Sequence, residues 1–260
     1  MIIKLYHLML QTIIHRPYVF AFLIAFLVLG RIYWGWRKTF LWLVIGYMIA
    51  WISEYSSIHN GIPYGLYHYI YENMPGELMV FGVPFWDSLS YPFMIFAGYT
   101  TAQFLCGNYK SPIPNPNSRT YALRHLGTAL LGAFLTMLLD IIIDPLTVMG
   151  DRWFLGKVYY YPNGGQYFGV PLTNFAGWFL VPLVVILVFQ LVSSFSRGND
   201  TQLTHLRTQT LKHFLNPLFY LSIAVFNIII TVWINEPLLA SLDCFLLMPV
   251  VWLISRKIKK

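Results

Sequence analysis

The chain has 260 residues, of which 57% are hydrophobic and only 10% charged, with a mean hydropathy of +0.59. A soluble domain carries roughly 25% charged residues, so the composition excludes a water-soluble enzyme and describes a polytopic membrane protein. The formal net charge of +7 invites a nucleic-acid partner, which the placement of the basic residues removes.

Met1 to His15 is too short to span a bilayer, and its apolar residues fit an amphipathic helix lying in the interface. Residues 1–16 therefore read as an interfacial segment and 17–260 as a single polytopic membrane domain. A signal peptide is the competing reading, but no small-residue cleavage site follows the apolar run. Seven spans of ~20 residues each can be drawn after it, at 17–36, 40–59, 84–106, 121–143, 171–195, 214–234 and 237–254. The expected fold is all-α and integral to the membrane. Cys106 and Cys244 both fall inside spans and form no disulfide or metal pattern.

Lys and Arg set the orientation. Arg31, Arg37 and Lys38 follow span 1. Lys110, Arg119 and Arg124 follow span 3. Arg197, Arg207 and Lys212 follow span 5, and Arg256, Lys257, Lys259 and Lys260 follow span 7. Thirteen of the seventeen basic residues thus share one side, taken as cytoplasmic, which puts the N-terminus outside and the C-terminus inside. Lys4, Arg16, Arg152 and Lys157 are on the other side. The basic charge is topological, so no nucleic-acid partner is expected, and the compartment is a bacterial or archaeal plasma membrane. Nothing in the sequence sets an oligomeric state.

The acids do the opposite. Glu54, Glu72, Glu77, Asp87, Asp140, Asp144, Asp151 and Glu236 fall at outer span ends or in outer loops, Asp243 lies a little deeper, and Asp200 is cytoplasmic. Loops depleted of basic residues account for Glu72, Glu77 and Asp151. They do not account for Glu54, Asp87 and Asp140, which sit inside apolar segments. In Asp140-Ile-Ile-Ile-Asp144-Pro145 the two carboxylates are four apart, on one helical face, and Pro145 is expected to stop the helix.

The two long outer loops resemble each other. Phe81-Gly-Val-Pro84 and Phe168-Gly-Val-Pro171 are 87 residues apart; Glu54 precedes Gly82 by 28 residues and Asp140 precedes Gly169 by 29. Asp87 and Asn174 occupy the same offset beyond each run. This reads as a parallel internal repeat of spans 2–3 and 4–5. Each Gly permits close backbone approach, and both loops could cover the acids as lids.

The resulting constellation is Glu54, Asp87, Asp140 and Asp144, with Asn174 and Asp243 nearby. Several carboxylates in a partly dry site cannot all ionise, so at least one is expected to hold a proton. A protonated acid beside an ionised one suits general acid/base work. No catalytic triad order, reactive-Cys motif, GxGxxG, Walker loop or HExxH is present. Carboxylates with His59, His68 or Asn174 are also a donor set for Mg²⁺ or Mn²⁺, although no metal is assigned. The DxxxD spacing and the lack of outer basic clusters disfavour prenyl-diphosphate chemistry. Beside the acids stand Tyr64, Tyr67, Tyr69, Trp86, Trp153, Tyr167 and Trp178. Aromatic faces stabilise a nearby cation; the alternative origin of these residues is an interfacial belt.

Two blocks carry a family likeness. The first is Glu54 with Gly61-Ile-Pro63-Tyr-Gly65-Leu-Tyr67-His-Tyr69 and Gly82-Val-Pro84. The second is Asp140-Ile-Ile-Ile-Asp144-Pro145, Trp153, and Gly165-Gln-Tyr-Phe-Gly169-Val-Pro171-Leu-Thr-Asn174-Phe-Ala-Gly177-Trp178. The chain over 54–178 resembles the membrane carotenoid-biosynthesis proteins, the integral-membrane carotenoid 1,2-hydratases of the γ-carotene 1′-hydratase and bisanhydrobacterioruberin hydratase type. Spans 1, 6 and 7 match only in hydropathy, and Trp86-Asp87 departs from the pattern. The resemblance implies addition of water across the terminal C1=C2 bond of an acyclic ψ-end, without an organic cofactor, on an acyclic or monocyclic carotenoid drawn from membrane lipid. In that chemistry Asp140 is the expected acid, Asp144 or Glu54 places the water, and Asp87 and Asn174 complete the hydrogen bonding. The reverse assignment, acid from Glu54 and base from Asp140, stays open. So do two other classes: a carotenoid cyclase or isomerase using the same cation, and a non-enzymatic isoprenoid transporter or scaffold.

Overall fold

A computed structural model describes residues 2–107, 119–195 and 206–259, and the chain in it is mostly helical. Lys110, Arg197, Asp200 and Lys260, used above for orientation, lie outside the described residues. The helices are α1 (Ile2–His15), α2 (Pro17–Asn60), α3 (Phe85–Cys106), α4 (Arg119–Val148), α5 (Leu172–Phe195), α6 (Leu206–Trp233) and α7 (Pro237–Ile258). Among them α2, α4, α5, α6 and α7 are long and apolar enough to cross a membrane. The more polar α3 is the most enclosed helix, with Ser88, Thr100 and Thr101 buried along it.

The 44 residues of α2 are two arms, because the backbone leaves helical geometry at Gly35, at φ 74° and ψ 165°. Only glycine takes that conformation without steric cost, so the break sits there and not in the 37–39 interval left between the first two spans drawn above. The arms fold back on each other. A Cβ on Gly30 would stand 2.7 Å from Thr39 Cγ2, whereas a continuous helix would separate residues nine apart by about 13.5 Å. The first arm lays Phe26 against Phe96 of α3 with ring centroids 5.0 Å apart. On the second arm, Trp42 donates its indole N–H to the Pro92 carbonyl at 2.8 Å.

Small residues set the helix contacts, as expected where lipid gives no hydrophobic drive between helices. A Cβ on Gly98 of α3 would meet Thr136 Oγ1 of α4 at 2.4 Å and the Gly132 carbonyl at 2.8 Å. Helix α4 runs through Pro145 to Val148, which corrects the expectation that Pro145 ends it. A proline removes one backbone donor, and the helix carries on regardless, the Thr147 hydroxyl donating to the Ile143 carbonyl at 3.0 Å.

Four short strands shape the loops: β1 (His68–Tyr69), β2 (Met79–Val80), β3 (Val83–Pro84) and β4 (Tyr159–Tyr160). β2 and β3 form a hairpin whose two turn residues, Phe81 and Gly82, have φ 50° and 83°. Tyr167 bridges Val170 around Phe168 and Gly169, at φ 48° and 88°. Both FGVP runs therefore make the same two-residue turn with positive φ at both centres, the type that matches strand twist. β1 pairs antiparallel with β4, His68 opposite Tyr160 and Tyr69 opposite Tyr159. That pairing ties the two loops together over the helix ends. The first loop also seats Tyr64 on α5, where a Cβ at Gly177 would stand 2.4 Å from its ring.

Gly35→Ala is expected to lower stability by about 1–3 kcal/mol through backbone strain. Gly127→Ala, at a helical glycine with open space around it, is expected to raise it by about 0.5–1 kcal/mol. Thermal unfolding in detergent compares the two.

Candidate active site

The structure brings Glu54, Asp87, Asp140 and Asp144 together beneath the paired loops. Glu54 comes from the second arm of α2, Asp87 from the first turn of α3, and Asp140 and Asp144 from successive turns of α4. Glu54, Asp140 and Asp144 are 5%, 2% and 8% exposed, so their partners must come from the protein.

Tyrosines supply most of them. The Tyr69 hydroxyl lies 3.0 Å from Glu54 Oε2 and 2.5 Å from Asp87 Oδ2. Tyr91 of α3 donates to Glu54 Oε1. Tyr159 donates to Asp144 Oδ1, and Tyr161 to Asp144 Oδ2 at 3.2 Å. The Asn174 amide of α5 donates to Asp140 Oδ2 at 2.7 Å and to Asp144 Oδ2 at 3.0 Å. Burial first, and the adjacent carboxylates next, push the Tyr69, Tyr159 and Tyr161 hydroxyls well above the usual phenol range. All three therefore enter as O–H donors. One hydroxyl hydrogen cannot serve two carboxylates. Both Tyr69 contacts are satisfied when Glu54 or Asp87 carries a proton and donates to the Tyr69 oxygen.

The strand pairing explains the placement. Tyr69 and Tyr159 are cross-strand partners, so a single two-residue ladder delivers one hydroxyl to the Glu54–Asp87 pair and one to Asp144. Tyr67 stands among Tyr69, Tyr159 and Tyr161 with ring centroids 5.4, 5.5 and 5.8 Å away. Trp178 stacks on Tyr91 at 4.2 Å and 12°. Tyr64 donates its backbone N–H to Ser57 Oγ and shares a 3.0 Å hydroxyl contact with Ser53.

A cleft of about 110 Å³ opens from the acids between the first arm of α2, α3, α4 and α6. Asp87, Asp140 and Asp144 line it with Trp86, Trp153 and Trp178. Most of the remaining wall is apolar, with Phe22, Phe93, Met94, Ile223 and Phe226, and Ser90, Thr147, Tyr159 and Asn227 are among its polar members.

Not every expected residue belongs here. Tyr167 packs on Phe168 and Phe175 outside the cleft, its hydroxyl pushed up to about 12 by burial and then by Asp243. Asp243 is fully buried on α7, also outside the cleft, with neither carboxylate oxygen hydrogen-bonded among the described residues. His59 contacts the Tyr55 carbonyl and His68 lies against Tyr160, both away from the acids. Among the described residues, no three His, Cys, Asp or Glu side chains are grouped to hold a metal ion.

Three contributors escaped the sequence reading. Tyr159 and Tyr161 stood in an aromatic-rich loop with no spacing to mark them. Arg16, read as an outer-loop charge, is 2% exposed. It grips Glu77 with two hydrogen bonds of 3.1 and 2.7 Å, donates to the Leu155 carbonyl at 2.5 Å, and lies 4.7 Å over the Trp86 ring. This clasp joins the α1–α2 junction to both outer loops beside Asp87. The only signal was a lone Arg at a helix start and a lone Glu in a loop, 61 residues apart.

A family model described as carotenoid biosynthesis protein matches residues 10–249. A bisanhydrobacterioruberin hydratase from Haloarcula japonica is 28% identical over 153 residues, which cover 59% of this chain and 45% of that protein. No solved structure matches.

Removing one partner of a buried ion pair leaves the other uncompensated, at a cost of about 3–5 kcal/mol. Arg16→Met and Glu77→Met are each expected to destabilise by that much, and the double variant to recover most of the loss. Unfolding in detergent across the four proteins of this double-mutant cycle measures it.

Proposed function

The chain belongs to the carotenoid biosynthesis protein family, and from that membership we propose that it hydrates the terminal C1=C2 bond of an acyclic carotenoid ψ-end. The observation that carries this reading is one cleft that joins a mostly apolar wall to three carboxylates, Asp87, Asp140 and Asp144. Asp140 is the acid. It is the least exposed of the four carboxylates, it lines the cleft, and among the described residues it receives a hydrogen bond only from Asn174. Three donors converge instead on Asp144, which makes Asp144 the ionised partner, because hydrogen bonds to a carboxylate favour its charged form.

The bond changes follow from those roles. Asp140 delivers its proton to C2, leaving a tertiary cation at C1 between Trp86 and Trp178, whose faces stabilise positive charge. A water oxygen bonds to C1 and gives a proton to Asp144. Return of that proton to Asp140 resets the pair. The sum is one water added, with no change of oxidation state. The cleft volume holds one isoprenoid end, so the remainder of an acyclic or monocyclic polyene lies among the helices and lipid.

The same reading gives the membrane topology: α1 at the outer interface, seven crossings counting each arm of α2, and the C-terminus in the cytoplasm. Helices α2 (second arm) and α3 repeat as α4 and α5, with Glu54 and Asp87 answered by Asp140 and Asn174 and with the two FGVP turns alike.

Expression in a lycopene-accumulating bacterium is expected to yield pigments heavier by one water. Asp140→Asn should reduce that product by at least about a hundredfold while the protein still accumulates in the membrane. Pigments of unchanged mass with a shifted absorption maximum would instead establish cyclisation or isomerisation. For topology, in a background without Cys106 and Cys244, Asp151→Cys is expected to react with an impermeant maleimide in intact cells. Lys259→Cys is expected to react only after lysis.

A further inference from the structure

The carboxylates face two cavities. Adjoining the mostly apolar cleft, and sharing Asp87 and Asp144 with it, is a chamber of about 40 Å³. Asp87, Asp144, Tyr159 and Trp178 line both spaces. Asp140 lines the cleft and not the chamber; Glu54 lines the chamber and not the cleft. The walls differ in chemistry. The chamber has no aliphatic side chain, and its remaining lining is Tyr64, Tyr67, Tyr91, Tyr161 and Asn174. Each of these carries a hydroxyl or an amide.

Hydration needs a polar nucleophile beside a cation that is formed in an apolar space. Water moving freely through the cleft would leave the polyene end poorly held. The geometry points to the chamber as the binding site of the reacting water, held apart from the carotenoid end by Asp87 and Asp144, with Tyr67 as its positioning residue. This inference rests on the hydratase reading. A bound water needs roughly 10–15 Å³ and two to four polar partners, so the chamber admits about three. Among the described residues Tyr67 makes no hydrogen bond to a carboxylate; its hydroxyl lies 3.4 Å from that of Tyr69, and its ring stands among those of Tyr69, Tyr159 and Tyr161. Water leaves the chamber past Asp144, where its oxygen bonds to C1 and its proton passes to the carboxylate.

Starving the site of water separates the two half-reactions. A cation at C1 that meets no water loses a proton from an adjacent methyl or from C2, giving a carotenoid of unchanged composition. In deuterated water that return leaves deuterium in the unhydrated pigment. The test uses membranes carrying the full chain, lycopene as probe, and two variants: Tyr67→Phe, which removes one hydroxyl, and Tyr67→Trp, which fills the chamber. The hydrated product is expected to fall about tenfold or more, the worth of one hydrogen bond to the water. Deuterium in the unhydrated pigment stays at or above the native level. Hydration unchanged in both variants, or hydration and exchange falling in parallel in both, would overturn the chamber's role while leaving the hydratase reading standing. Native membranes that neither hydrate nor exchange would remove the hydratase reading and this inference with it.

Discussion

Burying Glu54, Asp140 and Asp144 in one place is the constraint on which the rest of this structure depends. A carboxylate out of water costs several kcal/mol unless hydrogen bonds and partners replace the solvent. Here the replacement comes chiefly from tyrosine hydroxyls, supplied largely by loops. Tyr69, Tyr159 and Tyr161 arrive from the two outer loops and Tyr91 from α3. The loops must therefore be folded for the acids to be tolerated, and the acids give the loops a reason to fold inward.

Several local devices hold the loops in that position. The FGVP turns end each loop with two positive-φ residues and feed a helix whose first turn presents Asp87 or Asn174. The β1–β4 pair binds loop to loop. The Arg16–Glu77 clasp binds both loops to the α1–α2 junction, with the guanidinium stacked over Trp86. Below them, close contacts at Gly98 and Gly30 let helices approach as their backbones require. A side chain at any of these points would shift the carboxylates relative to one another, which matters because proton transfer demands hydrogen-bond reach.

The separation of an apolar cleft from a hydroxyl-lined chamber gives the acid wall two faces. Proton donation to an alkene and activation of water require opposite surroundings, one dry and one wet. In the proposed hydration, Asp140 on one face and Glu54 on the other, with Asp144 touching both spaces, would let a single small cluster serve both.

The membrane class, the apolar segments and the carboxylates that the fold gathers were legible in the chain itself, because charge inside apolar runs is rare and expensive and helical spacing puts Asp140 and Asp144 on one face. The matching FGVP runs were legible as words, but their common turn was not, because Phe81 and Phe168 take a positive φ that a bulky side chain rarely adopts. The sequence alone also identified Asn174 as a partner of the acids by its offset. Other features depended on contacts between residues far apart in sequence. No local pattern distinguishes Tyr159, which bonds Asp144, from Tyr167, which packs outside the cleft; strand register decides it. Arg16 and Glu77 meet only when α1, α2 and the first loop converge. The break at Gly35 and the passage of α4 through Pro145 were set by packing, since neither glycine nor proline states by itself whether a helix ends. The division between cleft and chamber exists only in three dimensions, because a cavity is the space that several chain segments leave between them.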